Sequence, residues 1–279
     1  MAHGRNYTKL AEDFTIEQID PFIRFDEDSH TYTVNGRLVP RSATKVIADA
    51  VGDKPFDADL VIAKNLASWK KKPESKYGKM IVGLDEDAAK AKIKDLWSKS
   101  SVLGTTLHRR FEASLNEATE PDDGETDVEW RMVEKAVLPK QLLGWIPRRT
   151  ELSLWWERES DRKVVCAGQL DALFTDAQNE LVIVDLKRTD HNLSPDASSY
   201  GKTFKSEVLS DVYLTDYNKY SLQTSIYCVM MEQRTGLPTP TRNRFLLQAH
   251  PSMDEAKWVE CRNFDAEARA LLNALPAGY

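Results

Sequence analysis

The chain has 279 residues, 41 % hydrophobic and 29 % charged, a composition that supports a large buried core and excludes a low-complexity or fibrous protein. Net charge is −6, so the overall field does not advertise a polyanion partner, and no apolar run approaches the ~20 residues that span a bilayer. Cys166, Cys228 and Cys261 are scattered without C-x-x-C spacing, which predicts neither a disulfide framework nor a zinc or iron–sulfur site. The start, Met-Ala-His-Gly-Arg-Asn-Tyr, lacks the apolar core of a secretory signal, and an intracellular location is expected.

In chain order, residues 21–40 read as a hairpin, with Asn35-Gly36 as a tight turn signal. Ser42 is a plausible cap for a helix that follows. Segments 58–69 and 85–99 have helical periodicity, separated by the basic run Trp69 to Lys79, which contains two aromatic residues. That run reads as a solvated helix end or loop, or as a patch where Trp69 and Tyr77 stack on unpaired bases. Gly104 to Leu115 is a helix carrying His108 and Glu112, and Asp127 to Leu143 is another, closed by Gly144 and Pro147.

Three strands are predicted next, at 150–156, 164–174 and 181–187. A loop-rich stretch covers 189–215. A strong helix is expected at 220–234, strands at 243–250 and 257–261, and a last helix at 266–275. This order predicts an α/β (α+β) fold: a mixed sheet flanked by helices, with an N-terminal hairpin and helical extension. The division falls near residue 100, with 1–100 packed on a core of 101–279 as one compact unit.

The chemistry concentrates in the hairpin of the second and third strands. Leu181-Val-Ile-Val184 is unbroken and apolar, as in a strand buried on both faces. A hairpin symmetric about Gln178 sets Asp171 across from Asp185, and side-chain alternation puts Lys187 on the face of Asp185. Two carboxylates that close repel unless a cation neutralises them. A divalent metal shared by both, with an ammonium beside it, makes a hydrolytic site; a structural Asp185–Lys187 ion pair is the plainer alternative. Three other acid-x-Lys sequences lie in polar segments and read as surface.

Other residues extend the constellation. His108 either bonds Glu112, four residues along its helix, or completes a metal site begun by the carboxylates. Gln223 and Tyr227 are a satisfied polar pair in an apolar helix, or an amide and a phenol aimed at the lysine or a phosphate backbone. Glu151 is a further acid near the site or a strand-end charge. Arg109-Arg110, Arg148-Arg149 and Lys187-Arg188 are basic pairs near these positions, with Arg109 and Arg188 candidates for holding phosphates.

Taken in order, Gly104-x-x-x-His108, Glu151, Gly168-x-x-Asp171, Asp185-x-Lys187 and Gln223-x-x-x-Tyr227 resemble the PD-(D/E)XK nuclease superfamily. The similarity is to the branch with the RecB nuclease domain and the mitochondrial genome maintenance exonuclease, and covers roughly residues 100–250. Ser42-Ala-Thr44 and the region from Trp69 to Tyr77 look like the leading part of viral and phage nucleases of this type. The resemblance implies a restriction-endonuclease-like core and a Mg²⁺- or Mn²⁺-dependent DNA exonuclease acting at ends, on single strands or single-stranded tails. An endonuclease using the same site, or an inactive nucleic-acid-binding relative, is the alternative. It further implies His108, Asp171 and Asp185 as metal ligands, Lys187 as the group that positions or activates water, and Gln223 and Tyr227 as support. DNA is the implied partner, with replication or recombination proteins as candidates. Relatives with an iron–sulfur cluster use four cysteines, so no cluster is carried over.

Overall fold

The computed structural model describes residues 7–52, 56–119 and 124–276. The start of the chain, read above for a signal, lies outside them up to residue 6. The first elements are α1 (Lys9–Asp13), β1 (Ile23–Asp26), β2 (Thr31–Val34) and β3 (Arg37–Leu38), the strands pairing antiparallel in that order. Asn35 and Gly36 join β2 to β3 with φ of 52° and 74°, the left-handed pair that a two-residue hairpin turn requires. The hairpin at 21–40 therefore gains a short third strand. Ser42 caps α2 (Ala43–Val51) by accepting the Lys45 N–H at 3.3 Å.

Contacts divide the chain into two units, residues 54–106 and the remainder. The smaller holds α3 (Ala58–Lys71), α4 (Gly78–Ile81) and the first part of α5 (Glu86–Leu115). Its core is Ile62, Leu66, Ile81, Ala89 and Ile93, with Trp69, Tyr77 and Trp97 packed against it. The Trp69 and Tyr77 rings lie 4.6 Å apart, and the Trp97 indole donates to the Tyr77 hydroxyl at 2.9 Å. The aromatic residues of the basic run thus complete a small core, because it has few aliphatic residues of its own. The helical stretches read at 85–99 and 104–115 are one continuous helix, α5.

The larger unit continues with α6 (Asp127–Leu142), β4 (Ile146–Glu157), β5 (Val164–Thr175), β6 (Leu181–Arg188), α7 (Asp216–Thr235), β7 (Arg244–Ala249), β8 (Lys257–Glu260) and α8 (Asp265–Ala274). The five strands form a sheet in the order β4-β5-β6-β7-β8, antiparallel except for β6 beside β7. A parallel pair needs a long crossover, and α7 lies within it. The fold is the expected mixed sheet flanked by helices.

β6 is central and covered on both sides, as its apolar run predicts. Ile183 packs with Leu222 and Ile226 of α7, while Val182, Val184 and Leu186 pack with Leu107, Phe111 and Val133 of α5 and α6. Alternation along β6 therefore turns Asp185 and Lys187 toward the α7 layer. Each fully buried aliphatic side chain here stabilises the unit by about 1.5–3 kcal/mol. Among the described residues no helix is long and apolar enough to cross a membrane.

Candidate active site

The β5–β6 ladder runs from Thr175↔Leu181 to Ala172↔Val184. One residue further, the same register sets Asp171 across from Asp185. There the backbone ladder gives way to a side chain: Asp171 Oδ2 accepts the Leu186 N–H at 2.6 Å. On the other edge of β5, the pairs Thr150↔Ala172 and Leu152↔Leu170 bracket Glu151 and Asp171. Glu151 has φ 46°, a left-handed conformation inside a strand, and its carbonyl accepts Gln169 Nε2 at 2.9 Å. Such a backbone costs about 1–3 kcal/mol in a non-glycine residue and tends to persist at functional sites. Three neighbouring strands thus bring Glu151, Asp171 and Asp185 to one level of the sheet.

His108 comes from α5. Its neighbours Leu107 and Phe111 are buried, which places the imidazole beside the helix's packed stripe. Nδ1 lies 3.5 Å from Asp171 Oδ1, so the ring turns to Asp171. Glu112, the alternative partner, is buried one turn along α5 and adds its negative charge to the surroundings of Glu151. Among the described residues, one ligand atom each from His108, Glu151 and Asp171 lie within 4.8 Å of one another, a group that could hold a metal ion. The third member closest to hand is therefore Glu151. Asp185 instead faces Lys187, whose Nζ stands 2.7 Å from Asp185 Oδ2. The ammonium two residues along the same strand face is its nearest counter-charge.

α7 holds the lysine from the other side. Lys187 Nζ donates to Gln223 Oε1 at 3.2 Å and lies 4.6 Å over the Tyr220 ring. Gln223 Nε2 donates to the Tyr227 hydroxyl at 2.9 Å. That second bond orients the amide, keeping its oxygen toward the cation. Gly168 makes the arrangement sterically possible: a Cβ there would lie 2.7 Å from Tyr227 Cε1 and 2.9 Å from Ala43 Cβ.

Burial and mutual charge set the protonation of the cluster. Burial pushes the Asp185 carboxyl up to about 6, opposed by Lys187 and reinforced by Asp171. Glu151 is driven well above the usual carboxylate range, first by burial and then by Asp171. Asp171 behaves oppositely: burial raises it, but the His108 imidazole, Lys187 and the Leu186 N–H together hold it low. Burial draws His108 down, yet the Asp171 carboxylate outweighs it and carries the imidazole up to about 9. Lys187 is kept charged against burial by Asp185 and Asp171.

Of the arginines in the basic pairs, one from each is internal. Arg188 is a buried partner of Glu129, with Nε and one terminal nitrogen each 2.7 Å from Oε1. The guanidinium that the sequence offers to a phosphate faces the Glu129 carboxylate here. Arg149 is fully buried against Asp20 at 2.7 and 2.6 Å, and Arg110 is buried on Asp127 at 2.7 Å. Adjacent residues diverge on a strand or helix, so one member of a pair points inward. Arg109 is half-exposed and paired with Glu27 at 2.9 Å. Glu129 and Tyr220 were not singled out by sequence; their partners lie far along the chain, and neither has a local signature.

No protein-family model matches the chain, and no curated protein sequence matches it. Among solved structures it is similar to the protein SSO0001, at 13 % identity and a TM-score of 0.31, over 82 % of this chain and 80 % of that one. It is also similar to a protein named as a candidate exonuclease, from Eubacterium rectale. That match has 12 % identity and a TM-score of 0.32, over 83 % of this chain and 76 % of that one.

Proposed function

We propose that this chain is a Mg²⁺- or Mn²⁺-dependent DNA nuclease of the PD-(D/E)XK type. It acts as an exonuclease at DNA ends, on single strands or single-stranded tails, in DNA processing such as repair or recombination. One observation carries the reading: Glu151, Asp171 and Asp185 stand on three adjacent strands, with His108 and Lys187 beside them.

The residues present fit a divalent cation. Three carboxylates share a buried site with two cationic groups, and Glu151 and Asp185 are both raised by burial and by Asp171, a penalty a cation relieves. Asp185 Oδ2 is buried and faces Lys187 Nζ at 2.7 Å, an ion pair. His108, Glu151 and Asp171 would hold the ion, with Asp185 beside them on the next strand. An imidazole in the set accommodates Mn²⁺ as well as Mg²⁺. When bound, the cation supplies Lewis acidity that neutralises phosphate charge and acidifies water.

The protein's own groups do the rest. Asp171 is oriented by the Leu186 N–H and by His108. Lys187, held by Asp185, Gln223 and Tyr220, presents a fixed positive charge to the attacking water or to a phosphoryl oxygen. Gln223 and Tyr227 position the lysine and need not touch the substrate.

End-labelled linear single- and double-stranded DNA and closed circles, incubated with Mg²⁺, Mn²⁺ or EDTA, test the proposal. Metal-dependent loss of linear DNA alone, abolished by Lys187→Ala, is the expected result. Cutting of circles would replace exonuclease with endonuclease at the same site. Binding without cleavage under any metal would make the chain a nuclease-like binding protein.

A further inference from the structure

The rings that the sequence offers for stacking on bases, Trp69 and Tyr77, are committed to a core. A different set of rings lies on the β1–β2 hairpin. Phe25 and Tyr32 are register partners, with ring centroids 4.7 Å apart and 33° between the planes. His30, in the turn, adds a third ring 6.0 Å from Phe25 at 35°. Ile23 and Val34, the next pair on the same face, are buried in the main core. Phe25 and Tyr32 are half-buried and His30 is exposed. The aromatic face therefore runs on past the core as an overhang.

The overhang is fixed in place. Asp20, three residues before β1, takes the fully buried Arg149 of β4 on both carboxylate oxygens, at 2.7 and 2.6 Å. Arg149 is two residues before Glu151. In the turn, Asp26 Oδ1 accepts the Ser29 N–H and hydroxyl at 2.8 and 2.7 Å, and His30 follows with φ 49°. Glu27 in the same turn meets Arg109, the residue after His108, at 2.9 Å. Burial raises the Tyr32 phenol, and the Glu151 carboxylate beside it raises it further. The hairpin thus borders the candidate site twice, at Glu151 and next to His108.

Its chemistry selects the ligand. Arg109 is paired with Glu27, and Arg24, on the reverse face of the hairpin, donates to the Asp20 and Ile23 carbonyls at 2.7 Å. With both guanidiniums engaged, the ring face suits a flat apolar ligand better than a phosphate. Beside a phosphodiester site, that ligand is a nucleic-acid base. Stacking uses the face of a base and not its edge, so it tolerates any sequence. A duplex keeps those faces covered, whereas a single strand can present them.

We propose that Phe25, His30 and Tyr32 form a ledge on which an unpaired base of the DNA strand stacks, next to the nucleotide whose phosphate is cleaved. The ledge rests on the nuclease reading above and gives it a physical source for preferring single strands.

The test changes protein and DNA together, in EDTA so that nothing is cut. A single-stranded oligonucleotide carries one abasic site at a time, moved along the nucleotides nearest each end. Affinity is measured for wild type, His30→Asn and the double variant Phe25→Leu, His30→Asn. Leucine keeps apolar bulk without a ring, and asparagine tolerates the left-handed turn position. In the wild type, one abasic position is expected to weaken binding about 5–100-fold, the range for one stacked base. A fluorescent adenine analogue at that position should be quenched on binding. The double variant should lose both the abasic penalty and the quenching, and His30→Asn should lose part of each. A wild type that binds and cuts DNA yet tolerates every abasic substitution would overturn the ledge and leave the nuclease. An abasic penalty undiminished in the folded variants would overturn it too. The wild-type scan needs no variant, so the ledge can be refuted even if the double variant does not fold. A wild type that neither binds nor cuts DNA would remove the nuclease reading and this one together.

Discussion

Glu151 faces Asp171 across the β4–β5 ladder at the one point in β4 where the backbone turns left-handed, φ 46°. The strain and the acid coincide, and their separation is measurable. Glu151→Asn keeps a residue that tolerates this conformation and removes a carboxylate already disfavoured by burial and Asp171. It is expected to gain about 1 kcal/mol, roughly 2–4 °C in Tm, while weakening Mn²⁺ binding about 10–100-fold. Thermal unfolding and calorimetric titration read the two effects separately; a destabilised variant with full metal affinity would remove Glu151 from the site.

Metal affinity should depend steeply on pH. His108 without a metal holds its proton up to about 9, and a ligating imidazole must be neutral, so binding releases a proton at pH 7–8. Affinity is then expected to fall at least tenfold per unit as pH drops below about 9, because Glu151, raised well above its ordinary value, must also give up a proton on binding. The fall is steeper still below about 6, where Asp185 takes one. In the metal-free protein the raised His108 adds stability that is complete below its unfolded value, about 6.5, and is lost as pH rises to about 9. Mn²⁺ titrations in buffers of different ionisation enthalpy count the released protons. A Kd constant from pH 6 to 9 would place His108 outside the metal set.

Gly168 is the steric complement of Tyr227. Gly168→Ala inserts a methyl 2.7 Å from Tyr227 Cε1, with Ala43 closing the other side at 2.9 Å. The ring must move, at about 1–3 kcal/mol by urea denaturation. Because Tyr227 orients Gln223, and Gln223 holds Lys187, cleavage should fall with the ring displacement. Tyr227→Leu on top of Gly168→Ala should recover stability and leave cleavage low, a non-additivity that a purely backbone effect would not produce.

The Arg188–Glu129 pair is predicted to act on stability alone. Both side chains are nearly buried, 8 % and 1 % exposed. Arg188→Ala leaves Glu129 with an uncompensated charge and should cost about 3–5 kcal/mol. The double variant Arg188→Met, Glu129→Leu should recover most of it, with DNA affinity unchanged at temperatures where it is folded. A loss of DNA affinity in that double variant would return Arg188 to the substrate.

Much of this protein is legible in one dimension because its signals are local. The apolar run at 181–184 identifies the central strand, the turn at 176–180 sets the register that brings Asp171 level with Asp185, and alternation puts Lys187 beside Asp185. The four-residue spacing of Gln223 and Tyr227 places both on one helix face, where they do bond. Each of these follows from a period of two or 3.6 residues, which sequence carries directly. The partners across long separations were decided only by packing. Glu151 joins His108 and Asp171 because β4 runs in register beside β5 and its backbone turns left-handed there. Arg110, Arg149 and Arg188 go inward because carboxylates from other segments, Asp127, Asp20 and the buried Glu129, await them, and Trp69 and Tyr77 are drawn into a core by burial. Charge and aromaticity in a sequence name the groups available, and only the tertiary structure determines which counter-charge or cavity each one meets.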